Sequence, residues 1–380
     1  MTVEIRGTEF INKGAHLMLL AILDQIRSRH PHARVAMRAF ASGAPFERRA
    51  ELGVFQLVTI GRLPKLSNLA SQLIPAFVRC RLGVVLEREI GLVLDAGGFA
   101  YSDQRGPMPT KRAARAIRRW KRNATRVVLL PQAFGPFNNR SIQRDFRMIV
   151  EHADLIYARD ARSHQYITEL VGRNDTVRRA PDFTNLLAAS VAKHGDHFAG
   201  RVCIVPNQRM IDKTTAQTGR AYVRMMACCA KVLDEMQLRP FMLLHEGPGD
   251  RDLAARIIAE TNLRLHMVDY RDPLEIKGVI GSCLAVVGSR YHALVNALSQ
   301  AVPALAAGWS HKYEELFDDY GFAQGMLSVH NDEQEIRRKV EMIVREPERD
   351  RIIQCITRTG AIERARARQM WDEIFRSAAI

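Results

Sequence analysis

Sulfur chemistry and long apolar runs are what this sequence supplies least. Its 380 residues include six cysteines, Cys80, Cys203, Cys228, Cys229, Cys283 and Cys355, mostly in apolar stretches and with no Cys-x-x-Cys pair. That pattern argues against a disulfide frame or a thiolate zinc site and fits reduced core thiols. No metal and no other cofactor is expected. The apolar run near the start, Leu17 to Leu23, is bounded by His16 and Asp24. It is too short for a bilayer span and lacks the basic flank of a secretory signal, so a cytoplasmic protein is expected. No short repeat points to a solenoid. With 47% hydrophobic and 26% charged residues, usage is that of a globular protein, neither collagen-like nor disordered.

Acid is scarce as well. Lys and Arg number 56 against 41 Asp and Glu, a net charge of +15, which implies an anionic partner without naming it. From Arg105 to Arg126 there are nine Lys or Arg and no carboxylate, while Ala113, Ala116, Ile117 and Trp120 recur at helical spacing. The segment reads as a basic amphipathic helix. Three readings stand: a solvated surface helix, attachment to an anionic membrane face, or nucleic-acid binding.

Short β-branched or Leu-rich runs alternate with helical periods, the pattern of α/β layers on parallel sheets. The first series of strands is expected at Val3–Arg6, Arg34–Met37, Gln56–Ile60, Gly91–Asp95, Arg126–Pro131, Asp154–Ala158 and Thr176–Ala180. A second follows at Val202–Val205, Pro240–Leu244, Leu265–Val268, Leu284–Val287 and Ala304–Ala306. The polar stretch Ala188–Gly200 between them reads as a linker. The chain end carries Ile352, Ile356, Met370, Trp371, Ile374 and Phe375, too much apolar surface to stay undocked. The expected fold is two Rossmann-like α/β domains of glycosyltransferase-B-like type, residues 1–190 and 200–345. A terminal helix over 346–380 packs back on the first.

Ligands of open α/β sheets bind beyond the carboxyl ends of strands, which selects a few segments. Asn12-Lys13-Gly14 opens a helix whose N-terminus favours an anion; an unliganded turn is the alternative. Asp95-Ala96-Gly97-Gly98 puts a carboxylate at a strand end, either a general base for a sugar hydroxyl or a cap of its own turn. Pro131 to Phe137 reads as a rigid turn, with Gln132 its one candidate for ligand contact. The sharpest signal is Gly288-Ser289-Arg290-Tyr291-His292, a buried strand turning into a helix that starts with two basic residues. Cations there oppose the helix dipole unless an anion is bound. Arg209 and Lys312 are expected at the same sheet edge. Two positions apart, Arg290 and His292 can share a cleft only if Arg290 precedes the first full helical turn. In a solvent-filled cleft, neither Arg290→Lys nor His292→Ala is expected to unfold the protein.

At these residues the chain resembles the polysaccharide pyruvyl transferase family. The shared features, in order, are Asn12-Lys13-Gly14, Asp95 to Gly98, Pro131-Gln132 with Gly135-Pro136-Phe137, Ala158-Arg159-Asp160 with Ser163, Pro181-Asp182, Gly288 to His292 and Lys312. Ala15 and Phe99 stand where the family commonly has Asp and Gly. The resemblance implies transfer of the pyruvyl group of phosphoenolpyruvate onto a sugar as a ketal, with release of phosphate. The donor would sit on the C-terminal domain at Arg209, Ser289, Arg290, His292 and Lys312, with His292 and Arg290 catalytic. The sugar, or a lipid-linked oligosaccharide, would lie on the N-terminal domain at Asn12, Lys13, Gly97, Gly98 and Gln132, activated by Asp95. A lipid-linked acceptor would suit peripheral attachment at the inner face of the cell membrane. Two rivals remain: a nucleotide-sugar glycosyltransferase on the same fold, and a nucleic-acid binder, which leaves Arg290 and His292 unexplained.

Overall fold

A computed structural model describes residues 1–38, 43–58, 74–190 and 195–376. Its strands form two all-parallel sheets. The first contains β1 (Thr2–Arg6), β2 (Arg34–Arg38), β3 (Phe55–Val58), β4 (Val84–Leu86), β5 (Leu92–Asp95), β6 (Arg126–Gln132), β7 (Leu155–Ala158) and β8 (Val177–Arg179). The second contains β9 (Val202–Val205), β10 (Phe241–Leu243), β11 (Met267–Val268), β12 (Ala285–Gly288) and β13 (Ala304–Ala306). Every strand except β4 lies within two residues of an expected one. The expected end of β3, residues 59–60, lies outside the described residues.

Spatial order is β4-β3-β2-β1-β5-β6-β7-β8 in the first sheet and β11-β10-β9-β12-β13 in the second. Strand order reverses between β1 and β5 in one and between β9 and β12 in the other. Such switch points open a crevice at the carboxyl ends. The strands read as continuous apolar runs because helices cover both faces of each sheet; β5, β9 and β12 are buried at every position.

Contacts divide the chain into two compact units, Met1–Phe10, Met18–Asp182 and Arg368–Ile380 in the first, and Ile11–Leu17 and Phe183–Ala367 in the second. The division falls at Asp182/Phe183, before the polar stretch Ala188–Gly200, of which residues 191–194 lie outside the described residues. Two short pieces also change sides. Ile11–Leu17, with Asn12 and Lys13, belongs to the second unit, and the chain end belongs to the first. The terminal helix Glu348–Arg376 is therefore shared. Ile352 and Ile356 join the second core, and Thr359 Oγ1 donates to the Tyr320 carbonyl at 2.9 Å. Beyond residue 367, Trp371 stacks on Phe375, whose ring also meets His30, while Tyr157 donates to Glu373 at 2.8 Å.

The basic helix spans Pro107–Arg122. Its apolar stripe of Ala113, Ala116, Ile117 and Trp120 is buried in the first core. Among the described residues, no helix is long and apolar enough to cross a membrane.

Candidate functional site

The switch point of the second sheet gathers most of the singled-out residues. Gly288 of β12 pairs with Val205 of β9, so the segments leaving both strands emerge side by side. Asn207, buried just past β9, donates from Nδ2 to the Ser289 carbonyl at 2.5 Å, and the Tyr313 hydroxyl donates to the same carbonyl at 2.9 Å. Ser289 is fully buried. Arg290 keeps extended backbone and the helix begins at Tyr291, the arrangement that lets Arg290 and His292 share one edge.

Arg290 does not present an open fork. Its Nε donates to Asp250 Oδ2 at 2.9 Å, Nη2 to Asp250 Oδ1, and Nη1 to Glu246. Asp250 is itself fixed, its Oδ1 accepting from the Gln208 N–H at 3.0 Å and its Oδ2 from the Glu246 N–H at 2.9 Å. Burial disfavours the guanidinium charge, yet Asp250 and Glu246 hold its pKa above the ordinary value. The bidentate capacity expected for a donor anion is spent on Asp250. These bonds tie the β12 turn to the segment after β10.

His292, one residue inside the helix, lies against Gly14. A Cβ on Gly14 would come within 2.3 Å of His292 Nδ1, so only glycine permits this approach. Asn12 caps the helix that Gly14 opens, its Oδ1 accepting from the N–H groups of Gly14 at 2.9 Å and Ala15 at 3.2 Å. Lys13 Nζ donates to the Arg271 carbonyl at 2.9 Å. Asn12 and Lys13, expected on the acceptor side, thus belong to the unit that carries His292. Lys312 Nζ lies over the rings of Trp309, Tyr313 and Tyr291 at 4.9, 5.2 and 5.4 Å, a cation–π cage around the ammonium. Arg209 is half exposed and 3.5 Å from Asp212.

His245 was missed. It follows β10 and is 4% exposed, and its Nδ1 has no hydrogen-bond partner among the described residues. Burial, then the charges of Arg290, His292 and Lys13, push its pKa well below the ordinary value. It is a neutral imidazole among basic groups. The strand-end rule that selected Arg290 would have found it directly after the expected strand Pro240–Leu244. Nothing local marks Asp250.

The switch point of the first sheet holds a second cluster. Asp95 ends β5 in register with Arg6 of β1. Its Oδ1 accepts from the Gly97 N–H at 3.1 Å and its Oδ2 from the Tyr101 hydroxyl at 2.9 Å. Burial and the Asp95 charge push the Tyr101 phenol well above its usual range, so it remains a donor. The capping reading of Asp95 therefore describes its contacts, and a proton-accepting role would use lone pairs these two bonds leave. Gln132 Nε2 donates to the Asp95 carbonyl at 3.2 Å. Its Oε1 is buried without a partner among the described residues and lies 2.8 Å from where a Gly97 Cβ would stand. Gly98 follows in the same loop. Nearby motif residues serve the frame: Asp160 caps a helix by accepting from the Ser163 N–H at 2.7 Å, and Arg159 pairs with Asp182 at 3.2 Å.

Comparison with known proteins places both clusters in context. HepE of Anabaena, solved in complex with UDP-glucose, is similar over 99% of this chain and 100% of its own, with TM-score 0.61 and 14% identity. The UDP-GlcNAc 2-epimerase of Neisseria meningitidis, solved bound to UDP-GlcNAc, matches 99% of both chains with TM-score 0.63 and 10% identity. MnaA of S. aureus, solved with UDP, matches 93% of this chain and 90% of its own with TM-score 0.56 and 11% identity. At such identities the likeness fixes the fold, which is glycosyltransferase-B-like. The family model for polysaccharide pyruvyl transferase matches residues 12–311, a span that includes Asn12, Asp95, Gln132, Arg290 and His292. The chain belongs to the polysaccharide pyruvyl transferase family.

Proposed function

We propose that the protein transfers the pyruvyl group of phosphoenolpyruvate onto a sugar of a polysaccharide precursor as a ketal. The observation that carries this reading is the second switch point, where His292 is pressed on Gly14 and Lys13, His245 and Arg290 set the electrostatics. A donor with a carboxylate and a phosphate suits that setting. The methylene carbon takes a proton, one sugar hydroxyl forms a C–O bond to the resulting cationic carbon, the C–O bond to phosphate breaks, and a second hydroxyl of the same sugar closes the ketal. One hydroxyl proton replaces the proton delivered to carbon, and the other leaves with phosphate. His292 binds the departing phosphate or delivers the proton. Lys312 and Arg209 supply the anion-binding charge that Arg290 does not. Asp95, with Gly97, Gly98 and Gln132, forms the acceptor side, and Asp95 accepts a hydroxyl proton.

The test is incubation with phosphoenolpyruvate and a panel of sugar acceptors, reading phosphate release and the mass gain of one pyruvyl ketal. Wild type should give both, and His292→Ala should lower turnover by about 10² or more. UDP and its sugars in the related structures favour one alternative, a nucleotide-sugar enzyme. Stabilisation against heat by UDP but not by phosphoenolpyruvate would select that alternative, since a ligand stabilises the native state to which it binds.

A further inference from the structure

Burial of the apolar stripe of helix Pro107–Arg122 leaves the opposite side of the helix to account for. Arg112, Arg115, Arg118, Arg119 and Arg122 are exposed and Lys111 is half-buried. At 100° per residue, these six positions fall within an arc of about 120° and run about 16 Å along the helix. Arg119 pairs with Glu87 at 2.6 Å. Among the described residues, no carboxylate pairs with Lys111, Arg112, Arg115, Arg118 or Arg122.

A groove of about 350 Å³ separates this helix from helix Arg140–His152, and Lys111, Arg115, Arg118 and Arg144 line it. Its remaining wall includes Ala114 and Met148. Asp145 in the wall is bound at 2.8 Å by Arg144. The groove is therefore cationic at its rim and apolar in part of its lining, the two chemistries of a phospholipid headgroup and its glycerol shoulder.

We propose that this face docks the protein on an anionic phospholipid bilayer, with headgroup phosphates along the Lys111–Arg122 stripe and in the groove. Attachment is electrostatic. The apolar stripe of the helix is committed to the core, and the Arg6 guanidinium covers Trp120 at 4.6 Å, so the helix cannot turn that stripe into the membrane. The same fact disfavours a single nucleic-acid strand, for which exposed aromatic rings provide the stacking platform; the exposed side of this helix carries none. Cations repeated along one side of a helix suit a plane of phosphates. The inference is independent of which donor the enzyme uses.

The test is sedimentation of the full chain with vesicles of phosphatidylglycerol and phosphatidylcholine, or of phosphatidylcholine alone, at low and high salt. Binding is expected only with phosphatidylglycerol and only at low salt. Combining Lys111→Ser, Arg115→Ser and Arg118→Ser should weaken it by about a hundredfold, while Lys111→Arg with Arg115→Lys and Arg118→Lys should retain it. Both variants should melt as wild type does. No sedimentation with phosphatidylglycerol, equal binding to phosphatidylcholine, or binding unchanged in the serine variant would overturn the proposal. Duplex DNA that binds more tightly than the vesicles at equal salt would also overturn it, in favour of a nucleic-acid partner.

Discussion

Gly14 and His292 show how one missing methyl group can decide the geometry of a site. A Gly14→Ala side chain would lie 2.3 Å from His292 Nδ1, so the ring or the capped turn must move. A displacement near 1 Å costs about 10²-fold in rate when it affects a positioned catalytic group. If the proposed reaction is the protein's own, phosphate release by Gly14→Ala should fall by about that factor, with a smaller change in melting temperature. Arg290 belongs to a different class. Because it is buried and paired with Asp250, Arg290→Ala strands a buried carboxylate and should cost about 3–5 kcal/mol in denaturant unfolding. The expectation that changes here leave folding intact holds for a residue facing solvent, and Arg290 does not face it. Arg290→Lys keeps the charge, loses the fork, and should fall between wild type and Arg290→Ala.

His245 adds a pH dependence with a definite sign. In the unfolded chain it takes a proton below about pH 6.5, whereas burial together with Arg290, His292 and Lys13 keeps it neutral in the native state to well below that value. Glu246 and Asp250, which follow it in sequence, are engaged by Arg290. Between the two pKa values the unfolded chain binds more protons, so stability falls as pH falls; above about 6.5 both states are neutral and the contribution of His245 is flat. Urea unfolding from about pH 7 down to about pH 5 should show the decline, and His245→Gln should reduce it.

At the scale of elements, the basic helix carries two signals that sequence alone cannot rank. Its apolar positions proved to be core and its basic positions surface, because a helix on a sheet turns its apolar stripe inward. Ile117 is 1% exposed, and Ile117→Ala should cost about 2–5 kcal/mol by calorimetry or denaturant unfolding. A membrane-inserting stripe would predict almost no cost in solution. The strands were legible for a related reason: parallel strands buried on both faces stand out as apolar runs between polar turns. β4 (Val84–Leu86) is not among the expected strands.

For the whole molecule, the shared terminal helix is the feature with the widest consequence. Trp371 and Ile374 are fully buried and Phe375 nearly so, all in the part that groups with the first unit. Trp371→Ala should cost about 3–5 kcal/mol and lower the melting temperature of the full chain. An unchanged melting temperature would show that this end of the chain does not hold the first unit together.

Sequence by itself determined the two strand series and the sheet class, since each is written in local periodicity, and it singled out candidate segments by their place after a strand. The family resemblance was equally local, carried by Asn12-Lys13-Gly14, the Gln132 loop and Arg290-Tyr291-His292. Tertiary structure alone decided what those residues touch. Arg290 meets Asp250 from 40 positions away, Asn12 and Lys13 leave the unit whose strands flank them in sequence, and Asp95 accepts bonds from Tyr101 and Gly97. A charge in a linear sequence has no partner until folding removes water from around it. Burial then makes an unpaired charge costly enough that the nearest complementary group in space, not in sequence, fixes its role.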